Sequence, residues 1–211
     1  MKLYEYLGRN KPVAGDFGIE IEVEGEGLVQ VDEKNWTTVH DGSLRGEANE
    51  YVFKKPLLKK DVEPALVYLK GRLAEAKLNF SFRTSVHVHV NVQDLEYVQL
   101  LNMIYTYLLI EEPLMSFCGK DRKGNRFCLR LQDAEGILDT LQPIFNGDEV
   151  NLRNINEELI RYSAMNLAAL NKFGSLEFRA MQGNLDVRRI TTWTDALYNL
   201  REFAKQAESP Q

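Results

Sequence analysis

The sequence predicts an α+β fold in which polar-striped strands form one sheet and three helices cover it. Residues 18–24 and 85–92 alternate apolar with polar side chains, which is the two-residue period of a β-strand. Residues 61–78, 94–117 and 187–207 carry apolar side chains at helical spacing. Because no repeat, linker or low-complexity segment interrupts the chain, we expect a single domain over residues 1–211.

Composition narrows the class of protein. Lys and Arg number 26 against 31 Asp and Glu, so no basic surface predicts duplex nucleic acid as a partner. The chain has no run of 18 apolar residues and begins without the apolar core of a signal peptide, so we expect no membrane partner. Two cysteines without a secretory signal fit a reducing, cytoplasmic location.

The first striped strand, residues 18–24, places three carboxylates on one face. Like charges repel one another on such a face, so Glu20 and Glu22 predict a nearby cation. Mg²⁺ or Mn²⁺, which prefer carboxylate oxygen, would suit them. On this stretch alone, an acidic solvated edge is an equally good interpretation.

A Gly- and Asp-rich loop then leads into the next predicted strand. Residues 29–39 are predicted to hold one or two edge strands. The loop at residues 40–46 contains Asp41 and Ser43, and Glu50 lies near the start of the strand at 48–53. Asp-Gly loops are usually tight turns, and this alternative stays open for Asp41.

The helices follow from their apolar stripes and end signals. Asp61 is expected to cap the helix at 61–78, and Asp186 the helix at 187–207, whose buried stripe includes Phe203. The nearly continuous apolar pattern of 94–117 predicts the buried core helix, kinked or ended near Pro113. A short helix is expected at 133–141.

Two later strands repeat the polar stripe. In residues 80–92, His87 and His89 face away from the valines, and imidazole ligates metals or hydrogen-bonds phosphate and carboxylate oxygens. A single histidine is most often structural, but two at i and i+2 favour a functional role. In residues 174–179, Glu177 and Arg179 share a face, where they could pair with each other or hold a metal and a phosphate. The basic loop at 119–130 is either a flexible loop beside the site or a solvated hairpin.

In this order the motifs resemble the amidoligase family, small relatives of glutamine synthetase and glutamate–cysteine ligase. The resemblance covers residues 18–193. Matching positions are Gly18, Glu20 and Glu22; Asp41, Ser43 and Glu50; His87 and His89; Arg161, Tyr162 and Asn166; and Glu177, Arg179, Gly183 and Asp186. The chain departs from the family pattern before Pro56 and immediately before His87.

The resemblance implies a curved antiparallel sheet, a glutamine-synthetase-like half-barrel, with helices on its convex face. It implies ATP and Mg²⁺ (or Mn²⁺) as cofactors. The implied activity is an ATP-dependent ligation that forms an amide through an acyl phosphate. A carboxylate and an amine, each belonging to a small molecule, a peptide or a protein, would be the substrates. Such a transfer depends on charge neutralisation and in-line positioning.

The resemblance also implies roles for individual residues. Metal ligands would be Glu20, Glu22, Glu50, His87 and Glu177. Arg179, Glu177 and His89 would be catalytic. Nucleotide contacts would come from Arg179, His89, Arg126 and Arg130. The substrates would contact Asp41, Ser43, Arg161, Tyr162 and Asn166.

Two other functions use the same residues. A metal-dependent hydrolase needs the carboxylates and histidines but no ATP, and a non-catalytic binding domain could keep the fold alone. Arg179 favours the ligase over the hydrolase, and the presence of every matched acidic and His position argues against the binding domain. The chain has neither a Walker A motif nor a Gly-x-Gly-x-x-Gly motif, which argues against a P-loop or Rossmann nucleotide site.

Overall fold

The computed structural model describes residues 1–134, 139 and 162–207. Within these residues the strands are β1 Phe17–Glu26, β2 Asp32–Glu33, β3 Trp36–Val39, β4 Ala48–Phe53, β5 Lys77–Asn79, β6 Ser85–Asn91, β7 Met165–Asn166 and β8 Ser175–Gln182. The α-helices are α1 Leu3–Tyr6, α2 Lys59–Arg72, α3 Tyr97–Cys118, α4 Ala169–Phe173 and α5 Val187–Gln206. Their mixture confirms the predicted α+β class.

The strands form one open antiparallel sheet. Its order is β2-β3-β4-β1-β6-β8-β7, and β5 pairs separately with β1. The first striped strand therefore lies between the strand of Glu50 and the strand of the two histidines. All named strand pairs run antiparallel, as predicted.

The apolar face of the sheet packs against the long helices. The valines of β6 and the apolar residues of β1 are fully buried in one core. The ring of Phe178 lies 5.3 Å from that of Tyr107 on α3 and 6.4 Å from that of Trp193 on α5. Phe17 similarly meets Tyr198 of α5 at 6.2 Å. The helices thus cover the face opposite the polar stripes, as the alternation predicted.

The helix predicted at 61–78 is wrong at both ends. It ends at Arg72, because the chain then turns and Lys77–Asn79 pair with the end of β1. At its start, Asp61 is not the cap. Leu58 holds that position, and Asp16 accepts a hydrogen bond from Lys59 N at 2.8 Å. At both ends, contacts with residues distant in sequence override the helix boundaries that the local sequence predicts.

The helix α3 differs from the fully buried helix that its composition predicted. It continues through Pro113 to Cys118, and Leu109 is 84% exposed. Only one side of α3 packs on the sheet. The prediction failed because the hydropathy of a helix does not show which of its faces a neighbouring element covers. Of the short helix predicted at 133–141, the described part is the 3₁₀ turn Leu131–Asp133, and most of the remainder lies outside the described residues.

The C-terminal helix begins where the sequence predicted. Asp186 caps α5 by accepting a hydrogen bond from Arg189 N at 3.1 Å. Its predicted stripe is wrong at Phe203, which is 57% exposed because it lies outside the packed face of the last turns, where Leu197, Arg201 and Ala204 are buried. Among residues 1–134 and 162–207, no helix has both the length and the apolarity needed to cross a bilayer.

Candidate functional site

Strand register brings the polar stripes together on one face of the sheet. Glu20 of β1 pairs with His87 of β6, and His89 of β6 pairs with Glu177 of β8. On the other side of β1, Glu22 pairs with Glu50 of β4. These side chains occupy the face opposite the valine core. Four strands therefore build one cluster of carboxylates and imidazoles.

Two groups of three side chains in this cluster have the spacing of metal ligands. One comprises Glu20, Glu50 and His87, the other Glu20, His89 and Glu177, with the ligand atoms of each within 4.8 Å of one another. Glu20 belongs to both: its Oε1 lies 3.2 Å from His89 Nε2 and its Oε2 3.1 Å from His87 Nδ1. Mixed carboxylate and imidazole donors fit a divalent cation such as Mg²⁺ or Mn²⁺. We call these groups the two triads.

Glu22 supports the cluster from beside it. Its Oε2 accepts hydrogen bonds from Ser85 N at 2.7 Å and from Ser85 Oγ at 2.6 Å. The same hydroxyl oxygen lies 2.7 Å from His87 Nε2. Ser85 therefore links Glu22 to His87 and fixes the orientation of that imidazole. Glu22 belongs to neither triad among the described residues.

The carboxylates of the cluster have divergent pKa values. Burial, together with the negative charges of Glu20, Glu22 and Asp41, raises the pKa of Glu50 to about 8. Burial opposes ionisation of Glu20 as well, but hydrogen bonds with His87 and His89 outweigh it and hold the pKa of Glu20 well below its usual value. The cluster thus holds one firmly ionised carboxylate next to one that keeps its proton near neutral pH.

The surroundings of His89 favour its protonated form. Burial alone would lower its pKa, but the hydrogen bond with Glu20 and the charge of Glu177 raise it. Its Nδ1 lies 3.1 Å from Ser175 Oγ, so both ring nitrogens have partners. In the absence of a cation, protons on this histidine and on Glu50 offset the negative charge.

Arg179 adjoins the second triad through Glu177. Its Nη1 pairs with Glu177 Oε1, and Asn166 Nδ2 donates to Glu177 Oε2 at 2.7 Å. Burial opposes the charge on Glu177, but that guanidinium prevails and lowers the pKa of the carboxyl. Among the described residues, the buried Nε of Arg179 finds no acceptor. An anion reaching this point would supply one.

A pocket of about 180 Å³ opens beside Glu20 and His89. Its walls include Phe53 and Phe173, with Lys55 also lining it. The amides that line it are already occupied: Asn91 donates to Val13 O and Gly15 O, and Gln93 donates to Phe173 O. The pocket therefore offers mainly apolar surface next to the second triad.

The loop at 40–46 lies outside both triads. Asp41 accepts from the backbone N and the Oγ of Ser43, each at 2.8 Å, which is the tight turn left open by the sequence. The charge of Asp41 nevertheless contributes to the raised pKa of Glu50, so the loop borders the cluster. Tyr162, 40% exposed, meets Phe127 edge-on at 6.1 Å. Arg161 lies outside the described residues.

The basic loop divides into residues with different environments. Arg126 lies over the ring of Phe127 at 4.8 Å, and Arg130 pairs with Glu112 at 3.2 Å and with Asp133 at 2.8 Å. No hydrogen bond or ion pair in the described parts of the chain joins either arginine to a triad. Arg122, by contrast, is buried and donates to Arg179 O at 2.9 Å. The loop is therefore anchored to β8 and is not the solvated hairpin that was one alternative.

Sequence reasoning missed Ser85 and Ser175 as parts of the site. Each stands two residues before a predicted functional residue, His87 and Glu177 respectively, and so shares its strand face. The same two-residue alternation could have identified them. Nothing in the sequence distinguishes Arg122 from its basic neighbours, because its burial depends on carbonyls of β8 and of the 80–85 segment.

The described residues thus form an open antiparallel sheet on one face of which carboxylates and imidazoles converge, in groups that could hold a metal ion. A family model described as "Putative amidoligase enzyme" matches residues 34–198, and the chain belongs to this amidoligase family. The match covers β3 to most of α5, whereas β1, which carries Glu20, precedes it. No curated protein matches the chain. The family finding confirms the resemblance seen in the motifs.

Proposed function

We propose that the protein is an ATP-dependent carboxylate–amine ligase whose sheet has the glutamine-synthetase-like half-barrel shape. The observation that carries this proposal is the sharing of Glu20 between two triads with Arg179 adjacent to one of them. Phosphoryl transfer depends on metal ions and guanidinium groups that neutralise charge on the phosphate oxygens. Paired triads and a neighbouring guanidinium meet that need.

The cation would be Mg²⁺ or Mn²⁺. Glu20, Glu50, His87 and Glu177 would hold it, with Glu22 orienting His87 through Ser85. When bound, such an ion neutralises and aligns phosphate oxygens. The shared carboxylate suits two ions held close together.

The reaction has two balanced steps. A substrate carboxylate oxygen attacks the γ-phosphorus of ATP, and the bond from that phosphorus to the oxygen bridging the β-phosphate breaks. ADP leaves, and the substrate becomes an acyl phosphate. An amine nitrogen then attacks the acyl carbon, phosphate leaves, and the amine loses a proton as the amide forms. Arg179, whose Nε has no acceptor in the described part of the chain, would stabilise charge on the transferred group. His89 would donate to a phosphate or carboxylate oxygen.

The carboxylate or amine substrate would bind in the pocket beside Glu20 and His89. Its mainly apolar walls suit the body of a carboxylate or amine substrate whose reacting group points towards the triads. Asp41, Ser43, Arg161 and Tyr162 remain proposed substrate contacts. Asn166 would act by holding Glu177 in place, since its amide is bound there.

Thermal-shift titration tests this function. ATP, ADP, Mg²⁺ and Mn²⁺ are each added alone and in combination to wild type and to Glu20→Gln. We expect stabilisation by ATP only with a divalent ion, and none in the variant. Glu26→Gln is the matched control, because Glu26 lies on the same strand but is exposed and paired with Lys77.

Turnover then separates the ligase from the hydrolase. A ligase releases ADP when a suitable carboxylate and amine are present, whereas a metal-dependent hydrolase shows no dependence on ATP. Stabilisation by the metal alone, with no added effect of ATP at millimolar concentration, would contradict the ligase.

A further inference from the structure

Aromatic rings and two guanidinium groups meet on the surface near the amidoligase site. Arg83 lies over the ring of Phe82 at 5.2 Å and over that of Phe127 at 5.7 Å. Arg126 lies over Phe127 at 4.8 Å, and Tyr162 meets the same ring edge-on. We call Phe82, Arg83, Arg126, Phe127 and Tyr162 the aromatic–arginine patch. The patch leaves 57% of Phe82 and 40% of Tyr162 exposed.

The patch and the apolar pocket lie towards opposite ends of the strands that carry the triads. Along β6, Asn91 lines the pocket, His87 and His89 belong to the triads, and Ser85 leads back towards Phe82. The two triads therefore stand between the pocket and the patch.

Strand β8 shows the same order. Ser175 lines the pocket, Glu177 belongs to a triad, and the carbonyl of Arg179 accepts from Arg122. Arg122 is part of the loop that carries Arg126 of the patch. The guanidinium proposed to act on phosphate therefore belongs to the end of the strand nearer the patch.

The chemistry of the patch differs from that of the pocket. A guanidinium stacked on an aromatic face can still donate from its N–H edge to oxygen atoms. Nη1 of Arg83 already donates to Ser43 O at 3.4 Å, which places this guanidinium beside the loop at 40–46 that borders the triads. Exposed rings can stack on a nucleobase, whichever base it is. The pocket, in contrast, has apolar walls and amides that are already used by the backbone.

We propose that the aromatic–arginine patch binds the nucleoside end of ATP, with Phe82 stacking on the base. Arg83 and Arg126 hold oxygens of the α- and β-phosphates, and the triphosphate extends from there to the triads. Phe82 and His87 are five residues apart, so at most about 18 Å of extended chain separates them, which an extended nucleoside triphosphate can bridge. This inference rests on the proposed ligase function and adds the direction from which ATP enters.

Calorimetric titration with Mg²⁺-ATP and with Mg²⁺-tripolyphosphate tests the position of the base. Phe82→Ala should weaken ATP binding at least about fivefold while leaving tripolyphosphate binding unchanged, since tripolyphosphate has no base to stack. Phe203→Ala is the matched control, because Phe203 is equally exposed, at 57%, but lies on α5. Arg83→Gln should weaken both ligands. Circular dichroism melting checks that each variant is folded.

The outcomes separate this inference from the function on which it rests. If wild type binds neither ATP nor tripolyphosphate, the proposed ligase function fails and this inference fails with it. If wild type binds ATP but Phe82→Ala binds it as tightly as Phe203→Ala does, only the placement of the base is overturned. Loss of ATP binding in Phe173→Ala, without loss in Phe82→Ala, would place the base in the pocket instead.

Discussion

Arg179 pairs through Nη1 with Oε1 of Glu177, and the two side chains keep only 20% and 7% of their surfaces exposed. This ion pair could serve the structure alone, or it could hold a guanidinium ready for a phosphate. The unpartnered Nε of Arg179 among the described residues favours the second role. Because one pair supports both interpretations, only measurements that separate folding from turnover decide between them.

Arg179→Lys separates the two roles. Lysine keeps the charge but loses the fork that holds two oxygens. If Arg179 stabilises the transition state, ATP affinity should stay within about tenfold, which is roughly 1.4 kcal/mol. ADP release per folded molecule should fall about a hundredfold or more. A lower melting temperature with normal turnover would instead assign Arg179 a purely structural role.

Removing single carboxylates should reveal how the triads share Glu20. Glu20→Gln should abolish metal-dependent nucleotide binding, because it removes a ligand from both triads. Glu50→Gln and Glu177→Gln should each remove one Mn²⁺ from the stoichiometry, since each residue belongs to one triad. Equilibrium dialysis with Mn²⁺ measures this, with Glu26→Gln as the exposed control. Equal stoichiometry in wild type and Glu20→Gln would refute the assignment of Glu20.

Without metal, the protein should lose stability as the pH rises. The pKa of Glu50 increases on folding from 4.5 to about 8, and burial raises that of Glu111 to about 7. The folded state therefore binds more protons than the unfolded state between about pH 4.5 and 8. His89, whose pKa is also raised, acts in the same direction above its ordinary pKa. Denaturation curves at pH 5.5, 7 and 8.5 should show a falling free energy of unfolding.

Glu50→Gln and Glu111→Gln are the tests of this slope. Each substitution should make the free energy of unfolding fall less steeply with pH, because the substituted residue no longer takes up a proton on folding. Exposed Glu63→Gln should leave the slope unchanged. A free energy of unfolding that rises from pH 5.5 to 8.5 in metal-free wild type would contradict the raised pKa values.

The affinity for metal should rise with pH, whereas the stability of the metal-free protein should fall. A cation bound by Glu50 must displace the proton of that carboxyl, and its charge opposes the proton on neighbouring His89, so Mn²⁺ should bind more tightly as the pH rises from 6 to 8.5. Titration calorimetry in buffers of different ionisation enthalpy also measures the protons released. Release of no proton at pH 7 would argue against Glu50 as a ligand.

Ser85→Ala tests the support of His87. The hydroxyl joins Glu22 Oε2 at 2.6 Å and His87 Nε2 at 2.7 Å, so its loss leaves the imidazole held only through Nδ1, which lies 3.1 Å from Glu20 Oε2. We expect Mn²⁺ affinity to fall about tenfold to a hundredfold with the fold retained. Ser116→Ala, on the exposed side of α3, is the control for a lost serine hydroxyl. Unchanged affinity in Ser85→Ala would show that His87 needs no such orientation.

Local spacing in the sequence is enough to predict which side chains share a strand face. Alternation is a local property of an extended backbone, so Glu20 and Glu22, His87 and His89, and Glu177 with Arg179 could be placed together from their spacing. The same alternation placed the valines of β6 in the core. The sequence also predicted Asp186 as the N-cap of α5, because an N-cap side chain accepts a hydrogen bond from the first turn of its own helix.

Which members of these pairs meet depends on the register between strands, which local spacing does not specify. Register places Glu20 opposite His87 and gives it to both triads, whereas Glu22 is engaged by Ser85. The hydrogen bond from Lys59 N at the start of α2 to Asp16 and the burial of Arg122 likewise join residues that are far apart in sequence. The alternation in each strand is the same in every register, so it cannot select among them. The hydrogen bonds between strands, formed only as the whole sheet assembles, make that choice.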